Sequence, residues 1–247
     1  MTERIRLDAL VVARGLATTR ARARALILAG HVRVNDVVQG KAGTAVAFDA
    51  EIGLAAPDHP YVGRGGVKLS RALDRFGIDV RGRTALDIGA STGGFTDVLL
   101  TRGARKVYAV DVGHGQLDWK LRNDPRVVVL ERTNARYLSR AEIPEPPDLI
   151  VCDASFIGLR TVLPAALDLA APGARLIALI KPQFEVGRGR VGKGGVVRDP
   201  ALHAEVCDTI SRWLDGLHGW SVLGIAESPI KGPEGNTEFL IGAARDD

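Results

Sequence analysis

Residues 84–100 read TALDIGASTGGFTDVLL. The first half is a short apolar run that carries Asp87 and closes at Gly89 and Ala90, the pattern of a buried strand. Ser91 and Thr92 then lead to Gly93 and Gly94, and a helix starts at about Phe95. Glycines let a backbone come close to a ligand, and the N-terminus of the following helix offers free N–H groups. A dinucleotide-binding turn would carry G-x-G-x-x-G, and this turn does not. Strand, glycine turn and helix in succession open a β-α unit, so the flanking sequence decides how many more there are.

The pattern repeats on both sides. KLSRALDRFGI (68–78) precedes the turn as a helix, and KVYAVDVG (106–113), RVVVLERTNA (126–135), PDLIVCDASF (147–156) and ARLIALIKP (174–182) follow as strands. A long helix, PALHAEVCDTISRWLDGL (200–217), leads to two last strands, WSVLGIAESPI (220–230) and NTEFLIGAAR (236–245). Alternation of this kind builds a mostly parallel sheet covered on both faces. Its order resembles that of the class I S-adenosylmethionine-dependent methyltransferases, whose last strand runs antiparallel. The expected fold class is therefore α/β, a Rossmann-like methyltransferase domain. The turn, D-x-G-x-x-x-G-G-F, is similar to the cofactor turn of that class, where the ligand has an amino-acid end and a nucleoside but no pyrophosphate. The resemblance implies cofactor contacts from Asp87, Gly89, Ala90, Ser91, Thr92, Gly93, Gly94 and Phe95. Asp111, with Val112 behind it, ends the second strand, where a carboxylate can accept both ribose hydroxyls. Asn134 follows the third strand and could read the adenine edge. A helix cap or plain surface acid is the other reading of Asp111, and Asn134 is equally open.

Residues 1–58 form a different unit, a small α+β domain. Leu7, Leu10 and Val11 recur at helical spacing with Gly15 as a stop, and Thr18 or Thr19 can cap a second helix running to Gly30. HVRVND alternates like a strand before a turn at Asn35 and Asp36, and TAVAF and EIGL read as further short strands. In the first 33 residues Arg4, Arg6, Arg14, Arg20, Arg22, Arg24 and Arg33 stand against Glu3 and Asp8. That balance is a footprint for a polyanion, or else an ordinary solvated helix face. The stretch RLDALVVARGLATTRARARALILAGHVRVNDVVQGKAG resembles an S4-type RNA-binding domain. Arginines on such a helix pair would supply affinity for phosphate more than sequence choice. A dimerisation appendage is the alternative. LAAPDHPYVGRGG (54–66) has linker composition; residues 59–63 are taken as the linker and 64–247 as the methyltransferase domain. Lys41 and Arg64 extend the RNA-facing set.

Composition excludes other classes. Hydrophobic residues make up 46% of the 247 and charged ones 25%, as in a soluble globular chain. Two cysteines, Cys152 and Cys207, offer no disulfide framework, which points to the reducing cytoplasm. The N-terminus MTERIRLDAL is charged where a leader would be apolar, and no run approaches ~18 apolar residues. No membrane partner and no metal are expected, and a monomer is favoured.

The chemistry lies at the strand ends. In LIALIKPQFEVGRGR (176–190) an unbroken apolar run stops at Lys181, and Pro182 ends the strand. An ammonium so placed either snorkels to water or is held there for a purpose. Gly187, Gly189 and Gly192 spell G-x-G-x-x-G, but no strand-turn-helix context surrounds them. The stretch reads as a flexible basic loop, in which Arg188, Arg190 and Lys193 suit an RNA backbone or merely keep the loop soluble. After the fourth strand, CDASF lacks the Pro-Pro-aromatic box of amino-group methyltransferases, and Cys152 reads as a small core residue rather than a nucleophile. Asp153 and Lys181 converge on one edge of the sheet, and Lys68 and Glu238 join them.

Lys68, Asp153, Lys181 and Glu238 resemble the Lys-Asp-Lys-Glu tetrad of FtsJ-like ribose 2′-O-methyltransferases. The whole chain is similar to the TlyA family, some of whose members carry the label hemolysin. RGGVKL, LDIGASTGGFTDVLL, DVGHGQL, RNDPRVVVLERTNAR, DASFI, KPQFEVG, GGVVRDP and GNTEF carry that similarity in order. It implies S-adenosyl-L-methionine as cofactor, cytidine 2′-O-methylation as activity, and ribosomal RNA or a ribosomal subunit as partner. The sequence reads FLIGAARDD at its end, without the extension of longer members, which by resemblance favours the large subunit. A ribose hydroxyl is a poor nucleophile, so a lysine must take its proton or stabilise the alkoxide. Lys181 is the expected base or orienting group, positioned by Asp153, with Lys68 and Glu238 holding the ribose. Burial and a second lysine would depress the Lys181 pKa, while two carboxylates pull the other way. A non-catalytic RNA-binding or ribosome-assembly factor and a membrane-lytic protein are the competing classes. The intact tetrad argues against the first, and no amphipathic surface supports the second.

Overall fold

The computed structural model describes residues 4–17, 19–54, 59–232 and 235–246. Glu3 and Thr18 lie outside the described residues, as do the side chains of Arg188 and Lys193.

In the N-terminal unit β1 (Arg4–Arg6) runs into α1 (Leu7–Ala13), followed by α2 (Arg20–Leu28). Then come β2 (Val32–Val34), β3 (Val37–Val38), β4 (Ala45–Ala47) and β5 (Ile52–Leu54). β2 lies between β3 and β5 and pairs antiparallel with both, while β1 pairs antiparallel with β4. Thr19 caps α2, its hydroxyl accepting from the Arg22 N–H at 3.1 Å. Leu7, Leu10, Val11, Ile27 and Val32 are fully buried in the small core. β1 has no counterpart in the sequence reading, because a three-residue strand shows no period and its partner lies some forty residues along the chain.

One contact in this unit changes the meaning of its arginines. Asp8 is fully buried, and its carboxylate receives Arg6 Nη2 at 2.9 Å, Arg20 Nη2 at 3.1 Å and Arg24 Nε at 3.2 Å. The hydrogen bond from Arg6 is the main cause that holds the Asp8 carboxyl far below the usual carboxylate range, with burial opposing it. The three arginine side chains stay half exposed. They therefore fix the packing of β1, α1 and α2 and still present N–H groups to solvent.

The larger unit begins with α3 (Gly65–Phe76), β6 (Thr84–Ile88), α4 (Gly94–Thr101), β7 (Lys106–Val110), α5 (Trp119–Arg122) and β8 (Val127–Leu130). It continues through β9 (Leu149–Cys152), α6 (Leu159–Val162), α7 (Pro164–Leu169) and β10 (Arg175–Ile180). α8 (Pro182–Glu185), α9 (Pro200–Asp215), β11 (Trp220–Glu227) and β12 (Phe239–Arg245) complete it. Among the described residues seven strands form one sheet in the order β11-β12-β10-β9-β6-β7-β8. β12 is antiparallel to both neighbours and the other contacts are parallel, the class I methyltransferase order expected from the sequence. Leu176, Ala178 and Ile180 of β10 pack into the layer with α6, α7 and α9, whereas Ile177 and Leu179 pack into the layer with α3 and α4. That strand is thus buried on both faces, which is why its sequence is apolar without alternation.

Two stretches differ from expectation. Tyr61 and Val62, within the expected linker, pack against the α3/α4 layer, and the Val62 N–H donates to Asp97 Oδ2 at 2.9 Å. The glycine-rich stretch after β10 is not a free loop but two short 3-10 turns. Asn236 ties it down, its side chain accepting from the Val197 N–H at 3.1 Å and donating to the Gly195 carbonyl at 3.0 Å. Local sequence showed only glycine and charge there, and the anchoring residue lies about forty positions away.

Replacing Asp8 with Asn removes the charge on which three guanidinium groups converge. The N-terminal unit should lose about 2 kcal/mol, read as faster amide exchange in α1 and α2 with the larger unit unaffected. Because the folded carboxyl titrates below its unfolded value, this contribution holds at pH 5 and above and fades only under strong acid.

Candidate active site

Strand residues alternate between the two faces of a sheet. Leu149 and Val151, Ile177 and Leu179, and Leu240 all face the layer of α3 and α4. Carrying that parity onward places Asp153 after β9, Lys181 after β10 and Glu238 before β12 on the same side. The register pairs Ile180 with Phe239, which sets Lys181 and Glu238 side by side one step beyond the ladder. α3 crosses this face and contributes Lys68 from its first turn. The helix begins three residues earlier than expected, so Lys68 lies within it, and Glu238 precedes the last strand rather than lying on it.

The four charges form a line of alternating sign. Lys68 Nζ lies 2.6 Å from Glu238 Oε2 and 3.6 Å from Asp153 Oδ2. Lys181 Nζ lies 2.6 Å from Asp153 Oδ1, and it donates to the Ser155 hydroxyl at 2.9 Å and the Asp153 carbonyl at 3.2 Å. Lys68 is 5% exposed, Lys181 6% and Glu238 not at all. Buried charges at this depth persist only when compensated, and here two cations balance two carboxylates. Burial alone would raise the Asp153 pKa, but Lys181 and Lys68 outweigh it and hold the group below its ordinary value. Burial likewise opposes the Lys181 ammonium, yet Asp153 and Glu238 together raise its pKa above the ordinary value. Of the two opposed influences on Lys181, the carboxylates win, and the resting side chain is a cation. Cys152, pushed up to about 12 by burial, is inert. Glu238 Oε1 has no hydrogen-bond partner among the described residues, and Gly232 closes over it: a Cβ there would come within 2.1 Å of that oxygen. Sequence reasoning missed Ser155, though a hydroxyl two residues past Asp153 was a visible signal.

Three cavities meet this line, two of them beside the glycine turn. One of about 140 Å³ is lined by Gly89, Ala90, Ser91, Thr92, Gly94 and Phe95 together with Arg64, Lys68, Asp153 and Lys181. A second, of about 640 Å³, runs along the ends of β6, β7 and β8 past Gly89, Ser91, Asp111, Val112, Gln116 and Asn134. Asp111 Oδ2 accepts from the Ser91 N–H at 2.8 Å and Oδ1 from the Gly113 N–H at 2.7 Å. Each oxygen keeps a second lone pair. Asn134 Oδ1 accepts from the Arg136 N–H at 3.1 Å, so this residue caps a turn while lining the cavity. Asp87 and Gly93 are not among the lining residues. Asp87 is buried beneath the turn, where Thr96 Oγ1 donates to it at 2.6 Å and burial raises its pKa to about 7. Gly93, at φ +97°, turns its hydrogen toward Leu117 and Leu121, and a Cβ there would come within 2.2 Å of Leu121 Cδ1. Both shape the turn from behind.

The FtsJ-like methyltransferase family profile matches residues 61–245, and an S4 domain profile matches residues 5–52. A protein from Mycobacterium tuberculosis named 16S/23S rRNA (cytidine-2′-O)-methyltransferase TlyA is 51% identical over 98% of this chain and 90% of its own length. The chain belongs to the TlyA family of FtsJ-like methyltransferases. A Campylobacter jejuni relative named 23S rRNA (cytidine-2′-O)-methyltransferase TlyA is 38% identical over 73% of this chain and 69% of its own. A solved Streptococcus thermophilus structure named as a hemolysin is 41% identical, with a TM-score of 0.76 over all of this chain and 90% of that one. Among the described residues no helix is long and apolar enough to cross a membrane.

As a TlyA-family chain it carries its basic groups on both units. Arg4 donates to the Ala45 carbonyl at 2.6 Å, and Arg14 to the Phe48 carbonyl at 2.9 Å while lying over the Phe48 ring. Arg22 approaches Asp118 of the larger unit at 3.8 Å. Arg190 makes a two-pronged pair with Glu205 at 2.5 and 2.6 Å. Arg64 lines the smaller cavity opposite Gly40, and Lys41 lines a third cavity beside Lys181.

Asp87 supplies a pH test. Its folded pKa of about 7 exceeds its unfolded value near 3.8, so the folded state binds the extra proton between them. Stability should fall as pH rises from about 4 to 7 and then level. In the Asp87→Asn protein that component of the slope should vanish, with the melting temperature at pH 8 raised relative to wild type.

Proposed function

We propose that this chain transfers a methyl group from S-adenosyl-L-methionine to the ribose 2′-hydroxyl of a cytidine in ribosomal RNA, with large-subunit RNA the preferred substrate. The observation that carries this reading is the buried Lys68–Asp153–Lys181–Glu238 line where the turn cavity opens. Both named relatives act on 23S RNA, and one on 16S as well.

The cavity residues fit the cofactor. The carboxylate of Asp111 is held by two backbone N–H groups with lone pairs to spare, as a ribose diol requires, and the turn from Gly89 to Phe95 leaves about 140 Å³ beside the lysines. When bound, the cofactor supplies an electrophilic methyl group on a sulfonium sulfur. Gly89, Ser91, Asp111, Val112 and Asn134 would hold it.

The protein's own groups handle the hydroxyl. Lys181, cationic at rest, donates toward the 2′-oxygen and stabilises the negative charge that grows on it as the hydroxyl proton passes to the Asp153 carboxylate. Asp153 and Ser155 fix the ammonium, so little reorganisation is needed when the charge develops. Lys68, clamped by Glu238, holds the second oxygen of Asp153 and keeps the line neutral. Sealing these charges from water strengthens each of them, and placement of the ribose supplies the rest.

Lys181→Met and Glu238→Gln should each lower methyl transfer by roughly a hundredfold or more, with RNA affinity changed less than threefold. Mass mapping of 2′-O-methylcytidine in ribosomal RNA treated with each protein reads this directly. Full transfer by the Lys181→Met protein would sink the reading.

A further inference from the structure

A third cavity, of about 440 Å³, lies against Lys181 and Glu238 and shares only Leu28, Ser155 and Phe156 with the larger cavity along β6 to β8. The geometry of a nucleotide makes this space matter. A ribose with its 2′-hydroxyl at Lys181 carries its base on the adjacent carbon, so the base must occupy the room next to the tetrad that the cofactor does not need. The volume suits a pyrimidine nucleoside, and the wall is aromatic: the Phe156 and Phe184 rings lie 5.2 Å apart at 48°. Phe156 holds a positive φ of 66° and is 90% exposed, a conformation that costs energy in a non-glycine residue.

The polar groups of this cavity are mostly committed. The Ser155 hydroxyl accepts from Lys181, Glu238 Oε2 pairs with Lys68, and both ends of the Asn236 carboxamide are engaged by the 195–197 backbone. Besides Glu238 Oε1, which Gly232 closes off, Gln183 carries the uncommitted acceptor of this cavity. It lines the cavity from α8, and its Oε1 is shielded from water with no hydrogen-bond donor among the described residues. Such a buried acceptor is an exception in a folded protein, and a ligand N–H is the group that would satisfy it.

We propose that Gln183 is a specificity-determining residue that reads the target base, its amide oxygen accepting from the exocyclic amine of cytosine. Uracil offers a carbonyl at that position and gives the same oxygen no donor, so it forgoes that hydrogen bond. The inference rests on the proposed methylation of cytidine.

The test compares kcat/KM on matched large-subunit RNA substrates carrying cytidine or uridine at the methylated position. Wild type should favour cytidine by roughly tenfold or more. Gln183→Leu should bring that ratio to within twofold, by slowing the cytidine reaction and leaving the uridine reaction alone. Gln183→Glu, which can only accept, should keep the preference. A wild-type substrate whose target pyrimidine lacks the 4-amino group should lose the same factor, which keeps the test open if the leucine protein folds poorly. An unchanged ratio in the leucine protein, or full activity on the substrate lacking the amine, overturns the role of Gln183 alone. Failure of wild type to methylate either nucleotide overturns the proposed function and this inference with it.

Discussion

Glu238, Lys68, Asp153 and Lys181 form a line of alternating charge at the edge of an apolar sheet, each within 3.6 Å of the next. None of these groups could sit at that depth alone, because an unpaired buried ion is unstable by several kcal/mol. The line therefore constrains everything around it. α3 must cross the sheet so that Lys68 reaches between two carboxylates, and the β10–β12 register must bring Glu238 beside Lys181. Position 232 must lack a side chain for Glu238 to be sealed. A set of groups so mutually dependent is preorganised, and preorganised charge is what the proposed reaction would draw on at a developing alkoxide.

The glycine turn is built on the same principle with different parts. Asp87 does not touch the cavity; it supports the turn from below through Thr96, at the expense of a carboxylate that burial brings close to neutrality. Gly93 is needed because leucines occupy the place of its missing side chain. The residues that line the cavity and the residues that make the turn possible are thus interleaved along one short segment.

The two units share the site. Leu28, Gly40 and Lys41 come from the N-terminal unit and line cavities whose other walls are the tetrad and the glycine turn. Arg22 reaches Asp118 across the same boundary. The basic unit is therefore part of the wall around the four charged groups. Its arginines are also less free than their number suggests, since three of them converge on Asp8.

Much was legible because local physics is written locally. The apolar run 176–180 could only be a buried strand, Pro182 could only end it, and the turn at 89–94 needed its glycines. Three of the four charges were visible as misfits at strand ends, and strand parity was enough to suspect that those three share a face. What the chain order could not reveal is distance. Asp8 read as a stray acid until three arginines from separate elements closed on it, and the glycine-basic stretch read as a loose loop until Asn236 was seen to hold it. The sign of the Lys181 shift was undecidable for the same reason: burial and two carboxylates oppose each other, and only their separations settle the outcome. By itself the sequence determined which segments are strands and which residues are out of place in them. The tertiary structure decided which misfits meet, because electrostatic and hydrogen-bond energies depend on ångströms that no spacing along the chain encodes.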